Sequence, residues 1–278
     1  MDPRSGLIDA GAARGLGSDL AGAYAAGQPF PHIVIDDFLP PTLAQSCFDA
    51  MEQGDLPKSE AYDRAQERFK SRYDPEEMPA DLRRLFYVFN SAPFVRIVQN
   101  ITGISRLIPD PYFLGGGFHE TATGGHLSVH ADFNHHRLMD VERRVNLLIY
   151  LNPGWKEEFG GTLELWDDGM AHKVRSVVPE FNRCVIFNTT SQSYHGNPQP
   201  IAHPGGLTRK SIALYYYTAT WDGERKSHST RYRSRPGSDD TFDWKLRSRE
   251  LLQDLCPPIA MRAIRRLRSG PGASKTTD

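Results

Sequence analysis

The stretch Leu127-Ser128-Val129-His130-Ala131-Asp132 belongs to a series of short β-rich runs that begins at about residue 111 of this 278-residue chain. Turn signals separate the runs, among them Asn152-Pro153-Gly154 and Asp167-Asp168-Gly169. Many short strands at such spacing indicate an antiparallel sandwich or barrel. The predicted strands cover residues 112–118, 127–132, 145–151, 162–166, 173–178, 183–188 and 209–218.

Helices are predicted on the N-terminal side of these strands. A short strand within residues 29–39 leads into a first helix, a second begins near Pro79, and a third begins near Ser91. Residues 54–79 are charged and poor in apolar side chains, so we expect a long surface loop there. A chain in which helices come first and strands later is typical of an α+β fold. We therefore predict a mainly β protein of this class, in which the helices buttress one sheet.

Composition limits the classes of protein to which the chain can belong. The hydrophobic fraction of 39%, the charged fraction of 24% and the formal net charge of −1 are ordinary for a globular protein. They give no reason for an obligate nucleic-acid or membrane partner, and no apolar run reaches the roughly 18 residues that span a bilayer. The three cysteines lack a C-x-x-C spacing and the N-terminus lacks a signal-peptide pattern, so we expect a soluble, cytoplasmic protein.

The run that ends at Asp132 carries a candidate metal site. Residues two apart in a strand project from the same face, so His130 and Asp132 can reach one ion while Ala131 points away. The tripeptide alone is a weak signal, but His195 follows a later strand and offers a third ligand. Two imidazoles and one carboxylate on one face of an ion form the facial triad of non-haem Fe(II) oxygenases.

Three other histidines are weaker candidates. His126 precedes His130 by four residues, which is roughly 13 Å along a strand and too far for the two to share an ion. His135 and His136 are adjacent, point in opposite directions if extended, and lie in a polar stretch predicted as a loop. We therefore expect none of these three to be a ligand.

A cation downstream of His195 suggests a second binding site. Arg209, Ser211 and Ala213 share one face of the last predicted strand, and a guanidinium meets a carboxylate with two parallel hydrogen bonds. Tyr150 ends the strand over 145–151 and can donate its hydroxyl to the same carboxylate, with aromatic core packing as the alternative. The pattern predicts a dicarboxylate co-substrate in contact with Arg209, Tyr150 and Ser211.

These residues resemble a known family. The segments 130–132, 143–152, 159–165, 178–187, 195–196 and 209–217, together with Trp155, resemble the prolyl-4-hydroxylase-like branch of the Fe(II)/2-oxoglutarate oxygenases. Residues 29–39 resemble the opening of the bacterial and ribosomal-protein prolyl hydroxylases in that branch. The resemblance covers about residues 29–220, and its motifs are specific for oxygenase chemistry rather than for a substrate.

The resemblance implies a double-stranded β-helix, or jelly roll, within an oxygenase domain over 29–221. Residues 40–103 would be its helical support and about 111–220 its core. The flanks are a flexible N-terminal segment, 1–28, and a basic C-terminal extension, 222–278, with a helix near 246–255 and a disordered end. The extension is either a solvated tail or an electrostatic contact with an acidic partner.

The resemblance also implies the ligands and roles of the site residues. His130, Asp132 and His195 would bind Fe(II), and Arg209 would bind the distal carboxylate of 2-oxoglutarate beside Tyr150. The co-substrates would be 2-oxoglutarate and O₂, with ascorbate as a reductant. Some relatives place a 2-oxoglutarate-binding tyrosine about ten residues before the first ligand, where residues 118–121 of this chain are Phe, His, Glu and Thr.

Three functions remain open from the sequence. The retained carboxylate of Asp132 favours hydroxylation over halogenation, and the favoured substrate is a prolyl residue in a protein or peptide, with release of succinate and CO₂. The alternative is hydroxylation of a free amino acid or another small metabolite by the same site. A jelly-roll protein that binds a metal without catalysis is the third.

Overall fold

A computed structural model of the chain describes residues 1–2, 7–53, 56–219, 227–233, 235 and 237–238. In this part of the chain the backbone forms four α-helices: α1 (Ala21–Ala26), α2 (Pro41–Glu52), α3 (Ala80–Phe89) and α4 (Ala92–Thr102). It also forms thirteen strands: β1 (His32–Ile35), β2 (Glu60–Arg64), β3 (Glu67–Tyr73), β4 (Ile108–Pro109), β5 (Gly117–Ala131), β6 (His135–His136), β7 (Val141–Tyr150), β8 (Leu163–Trp166), β9 (Lys173–Val177), β10 (Cys184–Asn188), β11 (His195–Asn197), β12 (Arg209–Thr218) and β13 (Arg231–Tyr232). Short 3-10 helices lie at Ala12–Arg14, Ser18–Leu20, Pro75–Glu77 and Glu157–Phe159.

The strands pair into one nearly closed antiparallel sheet. Its main path runs β1-β10-β7-β12-β5-β11-β8-β9, and each neighbouring pair along it is antiparallel. The path brings β5 beside β11, with His130 and His195 as register partners. The predicted mainly-β α+β architecture is confirmed.

The helices cover one face of this sheet. Leu147 and Ile149 of β7 lie in the same core cluster as Phe86 of α3. Leu148 and Tyr150 of the same strand pack in a second cluster, because successive residues of a strand point to opposite faces. One face of β7 is therefore occupied by the helical support, and the other face is turned toward the predicted site residues.

Prolines and one glycine set the helix boundaries. Pro41 is the first residue of α2, Pro79 immediately precedes α3, and Pro93 lies in the first turn of α4. Proline suits these positions because its fixed φ matches the helix and the first helical N–H groups lack intrahelical partners. Gly103 ends α4 with a φ of 70°, a left-handed conformation that favours glycine.

Part of the N-terminal segment is helical. The sequence predicts a flexible segment over 1–28 with a loose helix, and the structure places α1 and two 3-10 helices within residues 12–26. Ala13 and Tyr24 are buried there, and the Asn100 side chain of α4 donates to the carbonyl oxygens of Ala13 at 3.2 Å and Leu16 at 3.0 Å. The small side chains that suggest a loose segment instead allow close packing against α4.

The charged segment over 54–79 is not the predicted surface loop. Its described part contains β2 and β3, which form a hairpin, and β3 also pairs with β5. Charged side chains pair across the hairpin: Arg72 of β3 lies 2.9 Å from Glu60 of β2, and Glu67 of β3 lies 3.1 Å from Arg64 of β2. A high charge content therefore does not exclude a strand when the charges pair.

The structure describes only part of the basic C-terminal extension. The predicted helix near 246–255, with most of the basic extension, lies outside the described residues. Residues 231–232 of that extension form β13, which pairs with β5. Among the residues described, none of the helices has both the length and the apolar character needed to cross a bilayer.

Candidate metal and co-substrate site

Strand β5 presents the first two predicted ligands. His130 lies near its end and Asp132 follows its last residue, while Ala131 between them packs with Val129 on the opposite face. The alternation of a strand explains this division, since side chains two residues apart point to the same side. His130 is buried, and the side chain of Asp132 is 13% exposed.

Strand β11 brings the third predicted ligand to the same point. The His195 ring lies 4.6 Å from the His130 ring, centroid to centroid. Its Nε2 atom lies 3.3 Å from Oδ2 of Asp132, and Nε2 of His130 lies 3.4 Å from Oδ1. One ligand atom from each of the three side chains lies within 4.8 Å of the others. The structure thus assembles the predicted cluster.

The backbone orients both imidazoles toward the cluster. Nδ1 of His130 lies 2.9 Å from the carbonyl oxygen of Ser128, and Nδ1 of His195 lies 2.9 Å from that of Ser193. A carbonyl oxygen only accepts, so each Nδ1 carries the proton and donates it. The Nε2 lone pair of each ring is then free to bind a metal, which is the usual arrangement of metal-binding histidines.

Electrostatics hold the cluster in the protonation state that a metal needs. Burial alone would raise the pKa of Asp132, but Arg143 and His195 outweigh burial and hold that pKa well below its usual range. Burial lowers the pKa of His195, an effect that Asp132 only partly offsets. The carboxylate is therefore ionised and the His195 imidazole is neutral near pH 7.

Two residues of β7 that the sequence analysis missed contact Asp132. Asn146 donates from Nδ2 to Oδ2 of Asp132 at 2.7 Å, and Nη2 of Arg143 lies 3.1 Å from the same oxygen. Both side chains are buried. The sequence signal is indirect, because a buried polar pair inside an apolar strand needs a partner.

The predicted co-substrate residues lie on neighbouring strands of the same sheet. Arg209 is buried at the start of β12, its Nε donates to the carbonyl oxygen of Gly161 at 2.7 Å, and within the described residues it has no carboxylate partner. Tyr150 is fully buried, and its hydroxyl has no hydrogen-bond partner in the described part of the chain. Burial lowers the pKa of Arg209, and it raises the pKa of Tyr150 against the opposing charge of Arg209. Within the described residues, the Arg209 charge thus has no counter-ion, and the Tyr150 hydroxyl beside it makes no hydrogen bond. An anionic ligand would satisfy both groups.

Ser211 and His119 lie level with Tyr150 on neighbouring strands of the sheet. Ser211 is buried, and its register partners are Tyr150 on β7 and His119 on β5. His119 stands within residues 118–121, where some relatives place a tyrosine, and its Nε2 donates to the carbonyl oxygen of Gly115 at 3.0 Å. Burial, together with Lys70, lowers the pKa of His119 well below its usual value, so this side chain is neutral.

The remaining histidines of this region are held elsewhere. His126 lies 3.1 Å from the carbonyl oxygen of Ala65, and His135 lies 2.9 Å from Asp140. His136 is not in a loop as predicted but in β6, where it is fully buried and lies 3.1 Å from Asp110. None of the three belongs to the cluster of His130, which agrees with the prediction.

Strand β13, which follows the last predicted strand in the sequence, borders the cluster of His130, Asp132 and His195. Tyr232 of β13 is the register partner of His130, and the two rings lie 5.4 Å apart with an interplanar angle of 38°. Backbone and side-chain hydrogen bonds anchor this segment. The His228 N–H donates to Asn134 at 2.7 Å, and the His228 ring lies 2.7 Å from the Ser191 hydroxyl.

The donor set fits Fe(II). Two imidazoles and one ionised carboxylate converge at one point, and this combination with open positions is the ligand set of non-haem iron oxygenases. The unpartnered hydroxyl of Tyr150 and the buried guanidinium of Arg209 fit the distal carboxylate of 2-oxoglutarate in the same way.

Comparison with known proteins agrees with this chemistry. Residues 116–217 match the sequence model of the 2OG-Fe(II) oxygenase superfamily. A curated relative, the prolyl 3-hydroxylase OGFOD1 of Mus musculus, is 32% identical over 79 residues, which cover 27% of this chain and 14% of that protein. The matched segment thus spans about one seventh of the length of this relative.

Solved structures share the fold. A prolyl hydroxylase from Trichoplax adhaerens, in complex with a hypoxia inducible factor oxygen degradation domain peptide fragment, superposes with a TM-score of 0.53 at 19% identity, over 72% of this chain and 88% of that chain. A prolyl 4-hydroxylase from Phytophthora capsici gives a TM-score of 0.51 at 17% identity, over 77% and 66% of the two chains. The predicted jelly roll is confirmed. Residues 116–217, which contain His130, Asp132 and His195, are therefore a 2OG-Fe(II) oxygenase domain that resembles those of the prolyl hydroxylases.

Proposed function

We propose that the protein is a 2-oxoglutarate-dependent dioxygenase that hydroxylates a prolyl residue in a protein or peptide and releases succinate and CO₂. The observation that carries this proposal is the convergence of one atom each from His130, Asp132 and His195 within 4.8 Å, inside the segment that matches the oxygenase superfamily. A cytoplasmic location remains part of the proposal and follows from the sequence alone.

The iron would be held by Nε2 of both histidines and by the Asp132 carboxylate. When bound, iron with 2-oxoglutarate and O₂ supplies the oxidising chemistry needed to attack an unactivated C–H bond. The chain contributes orientation. Carbonyl oxygens fix the ring tautomers of His130 and His195, and the low pKa of Asp132 keeps the third ligand ionised. Because three ligands come from one side, the positions opposite them stay available for co-substrates.

Arg209, Tyr150 and Ser211 would bind the distal carboxylate of 2-oxoglutarate. The guanidinium offers a planar fork, and its Nε is already engaged by Gly161, which fixes the direction in which the fork points. Burial strengthens the interaction, since a charge-assisted hydrogen bond gains strength where water is excluded.

A peptidyl prolyl substrate is supported by the curated relative, whose name describes a prolyl 3-hydroxylase. The strands that lie along β5 near the cluster also support a peptidyl substrate. Strand β3 pairs with β5 at Leu127 and β13 pairs with it at His130, both on the side opposite β11, so the β2–β3 hairpin and the Tyr232 segment follow one another along the same edge of β5. These elements place the aromatic ring of Tyr232 beside the metal-binding strand, where it can pack against a bound chain.

Mass spectrometry tests this function. A proline-containing peptide library and a pool of free amino acids are each incubated with Fe(II), 2-oxoglutarate and ascorbate, using the wild type and Asp132→Ala. We expect a gain of one oxygen on prolyl residues with the wild type and none with the variant, and fragment and NMR analysis then identify the hydroxylated carbon. Oxidation of free amino acids alone would replace the peptide proposal with its small-molecule alternative, and oxidation by both proteins would refute the metal assignment.

A further inference from the structure

The Asp132 carboxylate is held by protein donors on one of its two oxygens. Oδ2 accepts a hydrogen bond from Nδ2 of Asn146 at 2.7 Å and lies 3.1 Å from Nη2 of Arg143. Oδ1 lies 3.4 Å from Nε2 of His130, and Oδ2 lies 3.3 Å from Nε2 of His195. Each oxygen thus faces one imidazole, but only Oδ2 also contacts Asn146 and Arg143. The two oxygens of this carboxylate therefore have different environments.

Arg143 also determines how the Asn146 amide is oriented. Its Nε donates to Oδ1 of Asn146 at 2.8 Å, so the amide oxygen faces the guanidinium and the amide NH₂ faces Asp132. The guanidinium is itself confined, with its carbon 3.5 Å from the centre of the Tyr215 ring and 4.6 Å from that of Phe133. Its side chain is 1% exposed, so the arrangement is locked by packing on all sides.

A bulge in β7 makes this arrangement possible. Residues three apart in a regular strand point to opposite faces, so Arg143 and Asn146 would not reach the same carboxylate. In the pairing of β7 with β12, Asn146 is opposite Tyr215 and Arg143 is opposite Tyr217, and the register shifts between them. The register steps from Val145 opposite Tyr216 to Arg143 opposite Tyr217, and this step returns Arg143 to the face of Asn146. Bulges commonly redirect a side chain next to a functional site.

We propose that Arg143 and Asn146 are positioning residues that commit Oδ2 of Asp132 to the protein and present Oδ1 to the metal. This inference rests on the proposed function, because it takes Asp132 to be an iron ligand. A carboxylate held in this way binds through one oxygen and leaves the remaining positions of the metal for co-substrates. An unheld carboxylate can offer both oxygens to a metal or rotate away from it.

A purely structural role is the competing explanation. The contact of Arg143 with Asp132 is a buried ion pair that joins β7 to the end of β5, and breaking such a pair destabilises a protein whether or not a metal binds. The two explanations differ in one respect. Loss of a structural contact lowers the melting temperature and leaves the metal affinity of the folded protein unchanged, whereas loss of a positioning contact weakens metal binding itself.

The test measures Ni²⁺ binding to the full chain by calorimetry, with Ni²⁺ as a redox-inert probe of the iron site. Asn146→Leu removes the donor to Oδ2 and keeps a similar volume, and Arg143→Lys keeps the charge but loses the planar fork. Asn152→Leu is the matched control. Asn152 is equally buried at 2% exposure, and its amide bonds only backbone groups of Pro179 and Lys210. Melting temperatures of the metal-free proteins are measured in parallel.

We expect Asn146→Leu to bind Ni²⁺ about 10- to 100-fold more weakly than the wild type, which is the usual cost of losing a partner of a metal ligand. Arg143→Lys should show a loss in the same range, and it decides the question if Asn146→Leu does not fold. The control should keep its affinity within about twofold while its melting temperature falls. Unchanged affinity in the folded Asn146→Leu or Arg143→Lys protein would overturn the proposal. Absence of Ni²⁺ binding by the wild type would instead refute the metal assignment in the proposed function.

Discussion

The guanidinium carbon of Arg209 lies 4.9 Å from the centre of the Tyr150 ring, and both side chains are buried. Neighbouring strands place them together, since Ser211 of β12 is the register partner of Tyr150. The guanidinium has no acidic partner and the hydroxyl has no hydrogen-bond partner within the described residues. The pair therefore offers a positive charge and a hydroxyl donor that together can bind an anion.

Replacing Arg209 separates binding from stability. Arg209→Met removes a buried, uncompensated charge, so we expect the metal-free protein to melt at a higher temperature. Hydrogen bonds to a charged group contribute about 1.5–3 kcal/mol, so the 2-oxoglutarate concentration for half-maximal succinate formation should rise on the order of 10- to 100-fold. Arg209→Lys is the control for charge alone, and its 2-oxoglutarate requirement should lie between those of the wild type and Arg209→Met. An unchanged requirement for 2-oxoglutarate in Arg209→Met would refute the role of this residue.

Removing the Tyr150 hydroxyl distinguishes ligand binding from core packing. Tyr150→Phe keeps the ring and deletes a hydroxyl that has no partner in the described part of the chain. One lost hydrogen bond of about 0.5–1.5 kcal/mol predicts a 2-oxoglutarate requirement higher by about 2- to 10-fold, with the stability of the metal-free protein unchanged or increased. Titration of 2-oxoglutarate and thermal melting check this. An identical titration curve for the two proteins would favour the core-packing alternative.

The buried, neutral His119 makes stability depend on pH. Its folded-state pKa lies well below 6.5, whereas an unfolded histidine titrates near 6.5. The unfolded state therefore takes up a proton first as the pH falls, and the stability that His119 contributes is fully present above pH 6.5 and declines below it. His119→Gln can still donate to the Gly115 carbonyl but cannot be protonated. We expect its free energy of unfolding, from urea titrations at pH 7.5, 6.0 and 5.0, to fall less toward acid, by up to about 1.4 kcal/mol per pH unit. Parallel pH curves for the two proteins would show that His119 does not contribute.

The ring of Tyr232 should hold β13 against the metal-binding strand. Packing of one aromatic ring on another contributes about 0.5–1.5 kcal/mol, so Tyr232→Ala should exchange the backbone amides of residues 231–232 about 2- to 10-fold faster. Tyr232→Phe keeps the ring and serves as the control, with exchange close to that of the wild type. Hydrogen exchange read by mass spectrometry gives the comparison. Equal protection in Tyr232→Ala and the wild type would show that the ring contact with His130 does not anchor the strand.

The sequence predicts the site residues whose positions follow from strand alternation alone. His130 and Asp132 lie two residues apart and face one way, and Arg209 and Ser211 start a regular strand, so simple periodicity locates them. Arg143 was missed because the bulge in β7 breaks the alternation that such reasoning uses. Asn146 shares the face of Tyr150 by regular alternation, but its contact with Asp132 depends on how distant strands pair. A bulge depends on pairing with a distant strand and leaves no local signal.

The fold was predictable to a similar extent. The helices α2 to α4 follow from apolar periodicity and proline positions. The strand predicted within 29–39 corresponds to β1, and six of the seven strands predicted over 112–218 correspond to strands or parts of strands. The strand predicted over 112–118 begins only at Gly117, because the Asp110 carboxylate accepts the N–H groups of Tyr112 and Leu114 at 2.8 Å and holds a turn there. The hairpin of β2 and β3 was missed because its charges pair across strands, which composition does not reveal.

The most direct test of the account is Fe(II)-dependent conversion of 2-oxoglutarate to succinate by the wild type and by Asp132→Ala, each checked for folding. Asp132 contacts both histidines and both positioning residues, so its loss should remove the metal site while leaving the jelly roll intact. We expect the wild type to form succinate until iron is chelated, and the variant to form none. Equal, iron-independent succinate formation by the two proteins would contradict it.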